Sequence, residues 1–206
     1  MSLDSAVLTD YLLTVECGVF VVMLARRGAG VSWVVMFAAT AAASLFGGAW
    51  HSLFLPDSQG FASRALWSIT LLCFGVIAVA LVRAALGVGW GREQARRLDP
   101  IQGIVFAGYT AVVLFVSQDF IVGIAAYLPA ALFLMFVFAR NLWYGRPEGA
   151  VAAILGVGIT IVGAVAQNAG VALHPVYFDH NALFHAVQAV ALYLLFRAAL
   201  EVGESS

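Results

Sequence analysis

The stretch ASRALWSITLLCFGVIAVALVRAAL, residues 62–86, decides the fold class because it is long and largely apolar. A helix needs about 20 apolar residues to cross the core of a bilayer. Stretches of the same character recur along the chain, and together they predict seven spans, at 6–26, 31–55, 62–86, 101–117, 120–140, 149–173 and 180–200. The sequence therefore predicts an all-α polytopic membrane protein, with one seven-helix transmembrane domain over residues 1–206.

The composition agrees with this prediction and excludes two classes of function. The chain is 63% hydrophobic and 10% charged, with a mean hydropathy of +0.99. Its net charge is −1 and its sequence contains no basic run, so nucleic acid is not an expected partner. All ten basic residues are arginine, and a retinal Schiff base needs a lysine amine. Abundant Ala, Gly, Val and Arg suggest a bacterial genome rich in G and C, which favours the bacterial inner membrane, a plasma membrane, as the location.

The distribution of arginine predicts the orientation of the helices. Loops on the cytoplasmic side of a membrane protein carry an excess of basic residues. Only Arg64 lies in the loops on one side, whereas the opposite side has Arg26, Arg27, Arg92, Arg96, Arg97, Arg140, Arg146 and Arg197. We therefore expect the N-terminus outside and the C-terminus in the cytoplasm.

Small residues and one proline indicate how the helices pack. Pro129 removes a backbone donor inside the fifth span and is expected to kink it. Glycines in the second and sixth spans allow helices to approach closely, namely Gly47, Gly48, Gly156 and Gly163.

All four histidines fall at one level of the predicted membrane, near its outer face. His51 closes the second span, His174 ends the sixth, and His180 and His185 open the seventh. Four histidines from three helices at one level favour a shared polar pocket.

Further polar residues extend these histidine positions toward the middle of the membrane. Residues seven apart share a helix face, so Ser44 lies below His51 and Gln167 below His174. In the seventh span, Asn181, His185 and Gln188 form one line. The pattern predicts an outward-opening pocket, with Asn181, Gln188 and Gln167 as binding residues.

The first span adds two acidic residues. Glu16 lies near mid-span, where an ionisable group is costly, so it is expected to face the bundle interior and is a functional candidate. Asp10 lies near the membrane boundary, where it could cap the helix, sit among headgroups or take part in the site.

Histidines and carboxylates in one pocket are the donor set of a catalytic zinc site. Such a site has three protein ligands and an open position for water, and a nearby carboxylate acts as base. The candidate ligands are His51, His180 and His185. Asp57, Asp179, Asp10 and Glu16 are the candidate carboxylates, and Ser44 or Asn181 would support the transition state.

Two segments carry a resemblance to a known family. The segment FHAVQAVALYLLF, residues 184–196, and the segment GGAWHS, residues 47–52, resemble the zinc-histidine segments of the alkaline ceramidase and adiponectin receptor superfamily. The resemblance implies a seven-span hydrolase in which His51 and His185 bind zinc. It also implies that zinc-bound water cleaves a lipid amide, with a membrane lipid as substrate.

The chain departs from that family at three positions. The family has a serine four residues before the first histidine, where this chain has Gly47, and an early acid in the third span, which is absent here. The family's last two histidines are four apart, whereas His180 and His185 are five apart and point about 140° apart on a regular helix. His180 could swing inward from a helix cap, or His174 could replace it. Alternatively, two histidines bind the metal, or the polar groups form a network without metal.

Three classes of function remain open from the sequence. The first is a zinc-dependent hydrolase of a lipid amide or ester. The second is a non-enzymatic receptor, sensor or small-molecule binder, in which the histidines bind a ligand or respond to pH. A transporter or haem protein is the third, although the sequence has no evident repeat that would favour transport.

Overall fold

The computed structural model of the chain describes residues 5–54, 60–174 and 177–204, and these segments form helices and no β-strand. Phe178 pairs with His174 in an isolated antiparallel bridge. The helices are α1 (Ser5–Arg26), α2 (Val31–Leu53), α3 (Phe61–Trp90), α4 (Arg92–Arg97), α5 (Asp99–Phe115), α6 (Phe120–Trp143), α7 (Ala150–Asn168) and α8 (His180–Glu204).

Six of these helices are long and apolar enough to cross a membrane, namely α1, α2, α3, α6, α7 and α8. The apolar helix α5 has 17 residues, which gives it a length of about 26 Å at the usual rise per residue. The prediction of a helical membrane protein is therefore confirmed in its coarser form, with six helices of spanning length and a shorter seventh.

The six long helices pack in a closed ring. Each is in contact with the next in the order α1, α2, α3, α6, α7 and α8, and α8 returns to α1. Aromatic side chains fill the centre: Phe20 stacks on Phe196 at 4.3 Å, and Phe37 and Phe138 are fully buried. Helix α5 lies outside the ring against α3 and buries only Val113.

Three of the four glycines named from the sequence lie at close helix approaches, whereas a Cβ atom added at Gly47 would lie at an ordinary contact distance of 3.7 Å from Thr70. A Cβ atom added at Gly48 would lie 3.0 Å from Cβ of Asp10, and one at Gly163 would lie 3.0 Å from Val187. At Gly156 the added atom would lie 2.9 Å from the carbonyl oxygen of Ala191. The seams between α1 and α2 and between α7 and α8 therefore depend on the missing side chains.

Pro129 lies inside α6, and the helix continues beyond it to Trp143. The loss of one backbone donor is tolerated because the rest of the helix keeps its hydrogen bonds and its packing against the ring.

The end of the sixth span and the segment after residue 86 differ clearly from the prediction. The sixth span, predicted to reach residue 173, ends at Asn168, because Gly170 takes a positive φ of 70° and Val171 N–H closes the helix on the carbonyl of Ala166. His174 therefore lies in a turn and not on the helix. The segment after residue 86, predicted as a linker, instead contains the last turn of α3 and the short helix α4.

Candidate functional site

A histidine and an aspartate from the two ends of the chain meet at one end of the bundle. This end, called the histidine end below, is where α1 and α8 begin and α2 stops. Nε2 of His185 on α8 lies 3.4 Å from Oδ1 of Asp10 on α1. The other ring nitrogen, Nδ1, lies 2.9 Å from Oγ1 of Thr9. Both side chains are largely buried, with 15% of His185 and 8% of Asp10 exposed.

The hydrogen bonds of the Thr9 hydroxyl indicate which ring nitrogen of His185 carries a hydrogen. Thr9 Oγ1 lies 2.9 Å from the carbonyl oxygens of both Ser5 and Ala6, to which a helical threonine commonly donates its one hydrogen. With that hydrogen engaged, Thr9 accepts a hydrogen bond from Nδ1–H of His185. Nε2 is then the ring nitrogen without a hydrogen, and it lies 3.4 Å from the Asp10 carboxyl. The arrangement is a close pair of a histidine and a carboxyl group held within the bundle.

Local structure on both helices positions the pair. The absence of a side chain at Gly48 lets α2 pack directly against Asp10. On α8, Oδ1 of Asp179 accepts a hydrogen bond of 2.8 Å from Ala182 N–H, which is the geometry of a helix N-cap. Asp179 thus fixes the start of α8, and His180 is already inside the helix and exposed. His185, more than a turn later, points to α1.

His51 lies at the same end but is not part of the pair. It is exposed in the last turn of α2, with its ring edge-on to Trp50 at 5.1 Å. The Trp50 indole donates to Ser63 on α3 at 2.9 Å, which anchors this turn. The last turn of α2 with His51 and the first turns of α8 with His185 lie at the same end of the bundle. The structure therefore brings His51 to the neighbourhood of His185 and leaves His180 on the surface.

The described side chains are not arranged as a zinc site. Within residues 5–54, 60–174 and 177–204, no group of three His, Cys, Asp or Glu residues is placed to hold a metal ion. The two ring nitrogens of His185 lie beside Thr9 and Asp10, which are both on α1. Asp57, a predicted carboxylate, lies outside the described residues.

Amide side chains line the helix faces beside the pair. Gln167 on α7 donates from Nε2 to Oδ1 of Asn181 on α8 at 2.8 Å, so the two predicted binding residues are in direct contact. Since its oxygen is engaged, Asn181 presents its NH₂ group, which donates to none of the described residues. Oε1 of Gln188 is buried and has no partner in the described part of the chain. Such an acceptor calls for a ligand or solvent donor.

The other predicted residues lie apart from this cluster. Ser44 and Glu16 are half-buried, and neither forms a hydrogen bond with another described residue. His174 is exposed in the turn before α8, where its Nδ1 accepts from Tyr177 N–H at 3.1 Å. Sequence reasoning missed Thr9, because a lone threonine early in an apolar helix carries no signal until His185 is placed beside it.

Comparison with known proteins gives a family. Residues 5–204 match the model of one described as "Family of unknown function (DUF6962)". The chain belongs to this family. No curated protein and no solved structure matches the chain. The ring of helices and the Asp10–His185 pair thus describe a DUF6962 member.

Proposed function

We propose that this DUF6962 protein is an integral membrane hydrolase that cleaves a lipid amide or ester at the histidine end, with the Asp10–His185 pair as its base. The observation that carries the proposal is the 3.4 Å contact between these two side chains near the end of an apolar helix bundle. A histidine next to a carboxylate is the usual general base of hydrolytic sites. A lipid carbonyl would reach it from the surrounding bilayer.

The chemistry follows from the proton positions. In the form with Nε2 unprotonated and Asp10 ionised, Nε2 and Oδ1 are two acceptors that would bind one water molecule. His185 takes a proton from this water as the water oxygen bonds to the lipid carbonyl carbon. The C–N or C–O bond then breaks, and the leaving nitrogen or oxygen receives that proton from His185. Water is consumed, and a carboxylic acid and an amine or alcohol are produced.

The neighbouring amides supply the remaining functions of such a site. Asn181 lies one turn before His185, and its NH₂ group, oriented by Gln167, would donate to the oxyanion that develops on the carbonyl. The unpartnered Oε1 of Gln188 would accept the N–H of a lipid amide. This acceptor favours an amide over an ester as the substrate.

The proposed hydrolysis does not depend on zinc, although the family resemblance implies a zinc ion at this end. His51 and His185 are the ligands that the family resemblance implies, and zinc would supply Lewis-acid chemistry at the carbonyl. Their present arrangement does not fit a metal, because no group of three His, Cys, Asp or Glu side chains is placed to hold one among the described residues. The base described above therefore acts through the protein's own carboxylate.

The finer topology is also a proposal. We take α5 as the seventh span, the histidine end as the outer face and the arginine-rich end as the cytoplasmic face of a bacterial inner membrane. The arginine distribution supports this orientation. A cysteine-accessibility experiment tests it: an impermeant thiol reagent added to intact cells should label His174→Cys and should not label Arg96→Cys.

A second candidate function is non-enzymatic binding of a lipid or small molecule at the same end. The contacts of His185 with Thr9 and Asp10 favour it, since a side chain held in place by neighbouring groups is also a stable wall of a binding pocket. In this case the unpartnered Gln188 oxygen holds the ligand and no bond is cleaved.

The deciding experiment uses the full chain in nanodiscs of neutral phosphatidylcholine, with a fluorescent N-acyl lipid amide and the matched ester as probes. We expect hydrolysis, and a loss of about 10²- to 10⁴-fold in rate on His185→Ala, the range for removal of a general base. His180→Ala separates the two kinds of site: the pair predicts a rate near wild type, whereas a zinc site of His51, His180 and His185 predicts a large loss together with a loss of bound metal.

Two results would overturn the proposal in different ways. Saturable probe binding that weakens in His185→Ala, without product formation, would assign the binding function. Hydrolysis that survives His185→Ala in a folded protein would remove the pair from the chemistry.

A further inference from the structure

A large cavity lies at the end opposite the histidines. It has a volume of about 660 Å³, within the range of small-molecule sites. Its walls come from the turn between α1 and α2, the ends of α3 and α8, helix α4, and the turn between α6 and α7. This end is called the arginine end, for the residues that line the cavity.

The lining has a strong excess of positive charge. It contains Arg83, Arg92, Arg96 and Arg146 and a single acid, Glu148. Arg83 is paired with Asp99 at 3.1 Å. The other three arginines form no ion pair with any described residue. One glutamate therefore faces three guanidinium groups without an ion pair, which leaves a net charge of about +2.

Helix α4 concentrates two of these arginines on the cavity. The chain turns at Gly91, whose φ of 92° suits glycine, and the buried Ala95 holds the helix against the bundle. Arg92 and Arg96 are four apart, so they share a helix face and repel each other. Their neighbour Arg97 points elsewhere and pairs with Glu93 at 2.7 Å.

Neutral groups complete the lining. Asn141 is only 8% exposed and borders the cavity, and its Nδ2 makes just a long contact of 3.4 Å to the carbonyl of Val88. Ser32 adds a hydroxyl, and the buried Trp33 adds an apolar wall. Charged donors, neutral donors and an apolar surface thus meet in one concave site.

We propose that this cavity binds a phosphomonoester group. Such a group carries about −1.5 to −2 charges near neutral pH, which matches the excess in the lining. Guanidinium groups bind phosphate oxygens in pairs, which favours arginine at such sites. The group belongs either to a soluble phosphorylated molecule or to the headgroup of a lipid that enters from the adjacent leaflet. The proposal is independent of the hydrolase at the opposite end.

The test measures binding of two probes to the full chain in nanodiscs. The soluble probe is phenyl phosphate, titrated against nanodiscs of phosphatidylcholine alone. The lipid probe is a fluorescent phosphatidate added to the same discs. The double variant Arg92→Gln/Arg96→Gln removes two unpaired charges, and the matched control Arg97→Gln removes one paired charge from the same helix. Lipid-amide hydrolysis at the histidine end reports that each variant is folded, and a cooperative thermal transition serves this purpose if no hydrolysis is found.

We expect saturable binding of at least one probe, at least tenfold weaker in the double variant and near wild type in Arg97→Gln. Phenyl phosphate binding identifies a soluble ligand, and binding of phosphatidate alone identifies a lipid headgroup. Glu148→Gln should tighten binding, since it removes the one acid of the lining. The proposal is overturned if neither probe saturates, or if Arg97→Gln weakens binding as much as the double variant, because attraction would then be a general property of the basic surface.

Discussion

The ionisable side chains at the two ends of this bundle have opposite environments. At the histidine end, Asp10 and His185 are buried and in contact across two helices. At the arginine end, Arg92, Arg96 and Arg146 are exposed around a cavity without ion-pair partners among the described residues. A buried charge is stable only with a partner, whereas water and counterions support an exposed one. The first arrangement suits proton transfer and the second suits capture of an anion.

The largest expected effect is the loss of hydrolysis at the histidine end in Asp10→Asn, with no change at the arginine end. Asparagine keeps the shape of the side chain but cannot ionise, so it gives His185 no carboxylate partner. The hydrolysis rate should fall by about 10²- to 10⁴-fold, while phosphomonoester binding at the arginine end stays near wild type and shows that the protein is folded. Glu16→Gln, which changes the half-buried acid on the same helix, should leave the rate near wild type. A large loss in Glu16→Gln would instead restore Glu16 as the catalytic acid that the sequence predicts.

A smaller effect is expected from loosening the seam that carries His185. Gly163→Val places new atoms against Val187 and Phe184, on the same turn of α8 as His185. Overpacking of this kind costs about 1–3 kcal/mol, seen as a lower denaturation temperature and slower hydrolysis. Gly158→Val is the control, because no atom lies within 4 Å of an added Cβ there. Equal losses in the two variants would show that helix flexibility, and not packing at the seam, governs stability.

The smallest expected effect is that of salt, which should weaken binding at the arginine end more than it slows hydrolysis at the histidine end. Raising the ionic strength from about 0.1 M to about 1 M shortens the screening length from about 10 Å to about 3 Å. Binding at the exposed arginines should weaken several-fold, whereas hydrolysis by the buried pair should change little. Parallel titrations on one nanodisc preparation measure both, and a rate that falls together with binding would contradict the assignment of the pair as buried.

Much of the helical architecture could be predicted because it depends on local sequence. Long apolar runs predict the helices α1, α2, α3, α6, α7 and α8 with boundaries close to those found. The end of α7 was mispredicted because apolar residues continue past Gly170, whose backbone conformation stops the helix. The site was predicted only in part: His185, Asn181 and Gln167 share one region, but the pairing of His185 with Thr9 and Asp10 is invisible along the chain.

The sequence by itself determined that the chain is helical and membrane-embedded, because hydrophobic length and periodicity are local properties that every apolar segment carries on its own. Tertiary structure alone decided which charges meet. The chain has no basic run, yet α4 and the turn between α6 and α7 gather Arg92, Arg96 and Arg146 around one cavity. Likewise, Asp10 finds His185 only because closure of the ring brings α1 against α8. Contacts between residues this far apart depend on the packing of whole helices.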